Sequence, residues 1–293
     1  MRMPWAGLAL AAAGSVAFSG KAIIVKLAYR HGVDAVTLIM LRMLFALPLF
    51  VALAWWAGRG KPALAPRELA VVAALGFCGY YLASFLDFAG LQFVSASLER
   101  LVLYLNPTLV LLFGLVLGTA KSNPRQWLAL AVSYAGVLLV FGHEARLAGS
   151  DAVLGALLVF GSAVSYAVYL VGSGQAVRRI GALRLTGWAT AVACLLCIAQ
   201  FLLLRPGVPL LAVPGPVVAL SVVNAVACTF APVLMVMMAV ERVGPTVTAQ
   251  TGMIGPLATI AMGVLILGEP LNAWIGAGTA LVLAGIWLLA RAR

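Results

Sequence analysis

The chain has 293 residues, of which 64% are hydrophobic and 9% charged, with a mean hydropathy of +1.12. So few charged side chains cannot cover a soluble fold of this length, and the composition points to an integral membrane protein. Lys and Arg outnumber Asp and Glu 19 to 8. These cations fall between apolar runs, where they orient a membrane protein, so no nucleic-acid partner is indicated.

About 20 apolar residues are needed for a helix to cross the hydrocarbon core. That ruler predicts ten spans, near 4–28, 34–57, 67–90, 94–118, 124–141, 151–173, 183–204, 215–240, 244–267 and 271–290. The runs are continuous rather than alternating, which excludes a β-barrel. The first 25 residues have the shape of a signal peptide, but the apolar run continues to Tyr29, and an uncleaved helix is expected. This span carries Lys21 in the small-residue stretch SVAFSGKAIIVK. Span two carries Arg42. On span three, Tyr80, Ser84 and Asp87 lie at i, i+4 and i+7, one face of an α-helix.

Span four, SASLERLVLYLNPTLVLLFGLVLG, has Glu99 and Arg100 near its start, Tyr104 one turn on, and Asn106-Pro107 near its middle. Span six aligns Ser162, Tyr166, Tyr169 and Ser173 on one face. Asn224, Cys228 and Thr229 follow on span eight, and Thr246 and Gln250 on span nine, which also contains Gly255-Pro256. Cys78, Cys194, Cys197 and Cys228 all fall in apolar runs and read as small core residues. Trp5, Trp55, Trp56, Trp127, Trp188 and Trp274 lie near span ends, where indole anchors at the interface.

Basic residues divide twelve to four between the loops on the amino-terminal side and those opposite, which places both termini in the cytoplasm. Sliding span four forward by 149 positions sets Pro107 on Pro256 and Gly114 on Gly263, and Ala135-Gly136 on Ala284-Gly285. The expectation is an all-α integral membrane protein of ten transmembrane helices. It forms a five-plus-five inverted repeat, with halves 1–145 and 146–293 in one membrane unit. Inverted repeats pack equally well facing either side, which suits a transporter with its site at the repeat interface.

Ten spans, cytoplasmic termini, the inverted repeat, SLERLVLYLNPTLV opening span four and ILGEPL closing span nine resemble the drug/metabolite transporter superfamily and its EamA-type bacterial members. Within it the chain looks most like the YddG-type amino-acid exporters. The resemblance implies a central cavity framed by spans one, three, four, six, eight and nine. It implies export of aromatic and other neutral amino acids across the inner membrane.

Charges inside a membrane are costly and mark function. Lys21, Arg42, Asp87, Glu99 and Arg100 all sit in the outer part of their spans, three cations against two anions. Lys21 or Arg100 is expected to meet a substrate carboxylate, with Glu99 or Asp87 holding that cation or meeting the ammonium group. A bracing network at the outer helix ends is the alternative. Tyr80, Ser84, Tyr104, Tyr166, Tyr169, Asn224 and Gln250 complete the candidate substrate-binding set. Asn106, Pro107, Gly255 and Pro256 are the candidate hinges, because proline frees a carbonyl near mid-membrane.

No catalytic residue, metal site or cofactor is expected: GxxxxGK[ST], GxSxG and HExxH patterns are absent, and His31 and His143 fall in loop positions far apart. The expected partners are a small-molecule substrate and the lipid bilayer, with the protein a monomer or homodimer. Drug or lipid-carrier transport on the same scaffold, and a membrane-embedded lipid-modifying enzyme, are the competing readings.

Overall fold

The structure, a computed structural model, describes residues 4–117, 123–207, 213–243, 248, 251–252 and 254–291. Their regular structure is helical, with no strand among the described residues. The rods are α1 (Pro4–Tyr29), α2 (Ala35–Gly58), α3 (Pro66–Gly90), α4 (Ala96–Val116), α5 (Pro124–Ala148), α6 (Ser150–Ile180), α7 (Ala182–Leu204), α8 (residues 215–243), α9 (Gly255–Leu267) and α10 (Ala273–Arg291). Among the described residues the first eight are long and apolar enough to cross a membrane, and α9 and α10 are shorter apolar helices. Large apolar side chains such as Val116, Leu203 and Leu265 are about four-fifths exposed, the surface of a protein solvated by lipid rather than water.

Caps explain most boundaries. Asp34 accepts from the Val36 and Thr37 amides to start α2, and Asn123 with Gln126 forms a capping box that starts α5. Gly149 and Gly181, both at positive φ, end α5 and α6 in conformations that favour glycine. These two helices therefore outrun the apolar ruler: α5 continues past 141 and α6 past 173, with Arg178 and Arg179 at the negative pole of its last turn. His143, expected in a loop, is helical in α5, where Asn272 bonds its ring at 3.0 Å.

The two halves of the chain repeat two of their irregularities, while a π-helical turn at Gly263–Leu267 in α9 corresponds to α-helix at the matching stretch from Gly114 in α4. A wider π-helical turn occupies Phe77–Leu82 in α3 and Val226–Phe230 in α8, again 149 positions apart. Helical structure restarts at Asn106 in α4 and at Gly255 in α9, at the same offset. Packing follows suit: α5 lies on α10, α2 on α7, α4 on α9, α1 on α8 and α3 on α6. Exchanging each helix for the one five places on returns the same set of pairs. The α5–α10 contact runs backbone to backbone, since a Cβ on Gly136 would meet the Gly278 carbonyl and one on Gly285 would meet Ser133 and Ala129.

The four cysteines are free thiols, and Cys194 and Cys197 are fully buried. Trp5, Trp55, Trp56, Trp127 and Trp274 are exposed near helix ends. Trp188 instead packs half-buried against an apolar cluster of α3, α6 and α7.

Candidate functional site

Where α1, α3, α4 and α9 meet, four charged side chains converge. Lys21 Nζ lies 2.5 Å from Asp87 Oδ2 and 3.1 Å from Glu99 Oε1, and Arg100 Nε lies 4.0 Å from Glu99 Oε2. Glu99 is fully buried and Asp87 nearly so. Ser95 sets this geometry: its hydroxyl accepts from the Leu98 amide and starts α4, which carries Glu99 inward on the first turn. Two cations and two anions sum to zero, the only balance a low-dielectric interior tolerates cheaply. Pairing is nonetheless incomplete: Asp87 Oδ1 has no hydrogen-bond donor, and Glu99 Oε2 has only the Arg100 contact at 4.0 Å.

A second set of contacts joins this cluster to α9. Arg100 Nε donates to Thr259 Oγ1 at 2.9 Å and its Nη2 to the Phe18 carbonyl at 3.2 Å. Tyr104 Oη and Ser15 Oγ both donate to the Gly252 carbonyl at 2.8 Å, and Ser19 Oγ donates to the Gly255 carbonyl at 2.8 Å. Gly252 is four residues before Pro256, so its carbonyl is the one that proline leaves without an intrahelical donor. In α4 the equivalent orphan is Leu103, and there Asn106 Nδ2 supplies the bond at 2.7 Å.

The aromatic stripe goes elsewhere. Tyr80 and Tyr169 share a hydroxyl bond at 3.0 Å with rings 5.0 Å apart, and Tyr166 stacks on Tyr169 at 5.5 Å. These rings sit in the apolar cluster of α3, α6 and α7. The π-helical turn at Phe77–Leu82 adds a residue to one turn of α3 and rotates its face. Tyr80 thus meets α6 while Asp87, beyond Ser84, meets α1. Ser84 is half-buried between them, and Ser165 bonds the Cys78 carbonyl loosened by the same turn. Asn224, buried in α8, has neither side-chain atom paired. Gln250 lies outside the described residues.

At the face on which α1 ends, Glu269 accepts from the Ala96 amide at 2.7 Å and from Ser97 Oγ at 2.9 Å, and Glu144 accepts from the Ser95 amide and hydroxyl. Two carboxylates thus close the start of α4, which favours negative charge at that end. Arg30 adds a bond to the Leu267 carbonyl at 2.7 Å. The sequence singled out none of Ser15, Ser19, Thr259, Glu144 or Glu269 as a candidate. The i, i+4 spacing of Ser15 and Ser19, and the carbonyl freed four residues before Pro256, are the signals that point to them.

A helical membrane protein whose buried ionic cluster sits where its two matching halves touch is, by class, a membrane transporter. The model of the EamA-like transporter family matches residues 5–142 and again 153–291. The chain belongs to that family. It is 31% identical over 264 residues to the uncharacterized transporter YcbK of Bacillus subtilis, covering 88% of this chain and 84% of that protein. An uncharacterized transporter of Archaeoglobus fulgidus is 26% identical over 273 residues, covering 92% of each. One solved crystal structure superposes on 97% of both chains with a TM-score of 0.63 at 20% identity, a likeness of fold.

Proposed function

We propose that the protein is a secondary transporter of the bacterial inner membrane that exports small amphipathic metabolites by alternating access, with aromatic and other neutral amino acids favoured. In this reading the chain crosses the membrane ten times as two inverted five-helix halves, 1–145 and 146–293, with both termini cytoplasmic. The irregularities repeated at 149 positions and the exchangeable helix pairs support that arrangement. The assembly is a monomer or homodimer.

The observation that carries the reading is the zero-sum cluster of Lys21, Asp87, Glu99 and Arg100, buried between the halves with carboxylate oxygens left over. A zwitterion can enter such a cluster without changing its total charge. Its ammonium takes a free carboxylate oxygen, and its carboxylate takes Lys21 or Arg100. Tyr104 borders this space. The breaks at Asn106-Pro107 and Gly255-Pro256 serve as hinges, and the Tyr80, Tyr166 and Tyr169 rings brace α3, α6 and α7 apart from the cluster. Both carboxylates already face cations, so this reading favours export down the substrate's own gradient over proton coupling, and the pH-gradient arm of the test below separates the two.

Counterflow in proteoliposomes with labelled amino acids, with and without a pH gradient, tests this. Uptake of a neutral or aromatic amino acid independent of the gradient is expected, reduced about tenfold or more by Lys21→Gln, Glu99→Gln or Arg100→Gln. Rates unchanged in all three well-folded variants would sink the role given to the cluster. Product formation from lipid in detergent would favour an enzyme.

A further inference from the structure

Among the described residues, one buried cation stands outside the balanced cluster. Arg42, eight residues into α2, is 4% exposed, and no carboxylate lies within 4.0 Å of it among the described residues. Its guanidinium carbon lies 4.6 Å from the centre of the Phe88 ring, and its Nη2 lies 4.0 Å from Met43 Sδ, a weak acceptor. Nε has no acceptor at all. Its neighbours within electrostatic range are Asp87, already bound to Lys21, and the thiols of Cys194, Cys197 and Cys228. A guanidinium does not shed its proton to escape such a site, and an aromatic face offsets only part of the desolvation.

We propose that Arg42 is the core of an anion site for a small monovalent carboxylate, with the Phe88 ring as its floor. The planar fork of guanidinium matches a carboxylate in two parallel bonds. A single surplus positive charge selects a single negative one, because a dianion would leave the opposite imbalance buried. The soft, apolar walls of Met43, Phe88 and Cys194 suit an organic acid whose tail is apolar. This is a statement about binding, and it stands or falls separately from the transport reading.

Thermal unfolding of the purified full-length protein in detergent, at constant ionic strength held with sodium sulfate, tests it. The probes are sodium phenylacetate, sodium chloride and the neutral amide phenylacetamide. Phenylacetate is expected to raise the melting temperature saturably, phenylacetamide to leave it unchanged, and Arg42→Met to lose the response while melting no lower than wild type without ligand. An equal response to chloride overturns the carboxylate assignment. A variant that retains the phenylacetate response, or a wild type that treats acid and amide alike or ignores both anions, overturns the site. Should Arg42→Met fail to accumulate, Arg42→Lys keeps the charge without the fork. A half-saturating concentration raised about tenfold is then expected, and an unchanged one overturns the proposal.

Discussion

The breaks in α4 and α9 are the same device completed in two different ways. Each is a proline that robs the carbonyl four residues earlier of its donor, at positions 149 apart. In α4 the neighbouring Asn106 reaches back to the Leu103 carbonyl, so the break is satisfied within its own helix. In α9 the neighbour is Gly255, and the Gly252 carbonyl is satisfied by Ser15 of α1 and Tyr104 of α4. A Cβ at 255 would stand 2.6 Å from Tyr104 Oη and 2.9 Å from Ser15 Oγ, so the side chain that completes the first break is excluded from the second. The comparison shows how a repeated element becomes asymmetric: one copy keeps its polar bookkeeping local, and the other ties the two halves together.

The sharpest way to break this comparison is to transplant one solution onto the other. Gly255→Asn is expected to cost roughly 2–6 kcal/mol, adding over-packing to the loss of both hydroxyl bonds. A large fall in melting temperature and in monodisperse protein on size-exclusion chromatography reads it. A smaller effect follows from removing the donors. Ser15→Ala and Tyr104→Phe together leave the Gly252 carbonyl bare, at about 1–3 kcal/mol, while either alone costs much less because the other hydroxyl remains. The double-mutant cycle in melting temperature checks this, and strict additivity would show that the hydroxyls do not share the carbonyl. The smallest effect is expected of Asn106→Ala, about 1 kcal/mol, because water or a tightened turn can replace a local bond more readily than one across the halves. If Asn106→Ala proves costlier than the double substitution, the assignment of local and inter-half roles is reversed.

Much of this was readable from residues alone, for physical reasons. Apolar length set the rods, and proline position set the breaks. The rarity of membrane charge drew attention to Lys21, Asp87, Glu99 and Arg100, which do converge. What escaped were features that local periodicity cannot express. The face predicted for Tyr80, Ser84 and Asp87 assumed 3.6 residues per turn, and the wider turn at Phe77–Leu82 divides it between two partners. The bond between Ser15 and Gly252 spans 237 positions, so neither residue looks special in its own neighbourhood. Arg42 resembled the other membrane cations in sequence, and only its lack of a carboxylate partner separates it from them.

The carboxylate of Glu269 at the Ala96 and Ser97 amides has an electrostatic consequence of its own. The start of a helix carries about half a positive elementary charge, and Glu269 now masks it. Glu144 covers the same pole from the Ser95 side, so only a motion that draws both carboxylates away uncovers it at the face where α1 ends. An anion passing there would find a fixed attraction created by the opening itself, with no side chain needing to change its protonation.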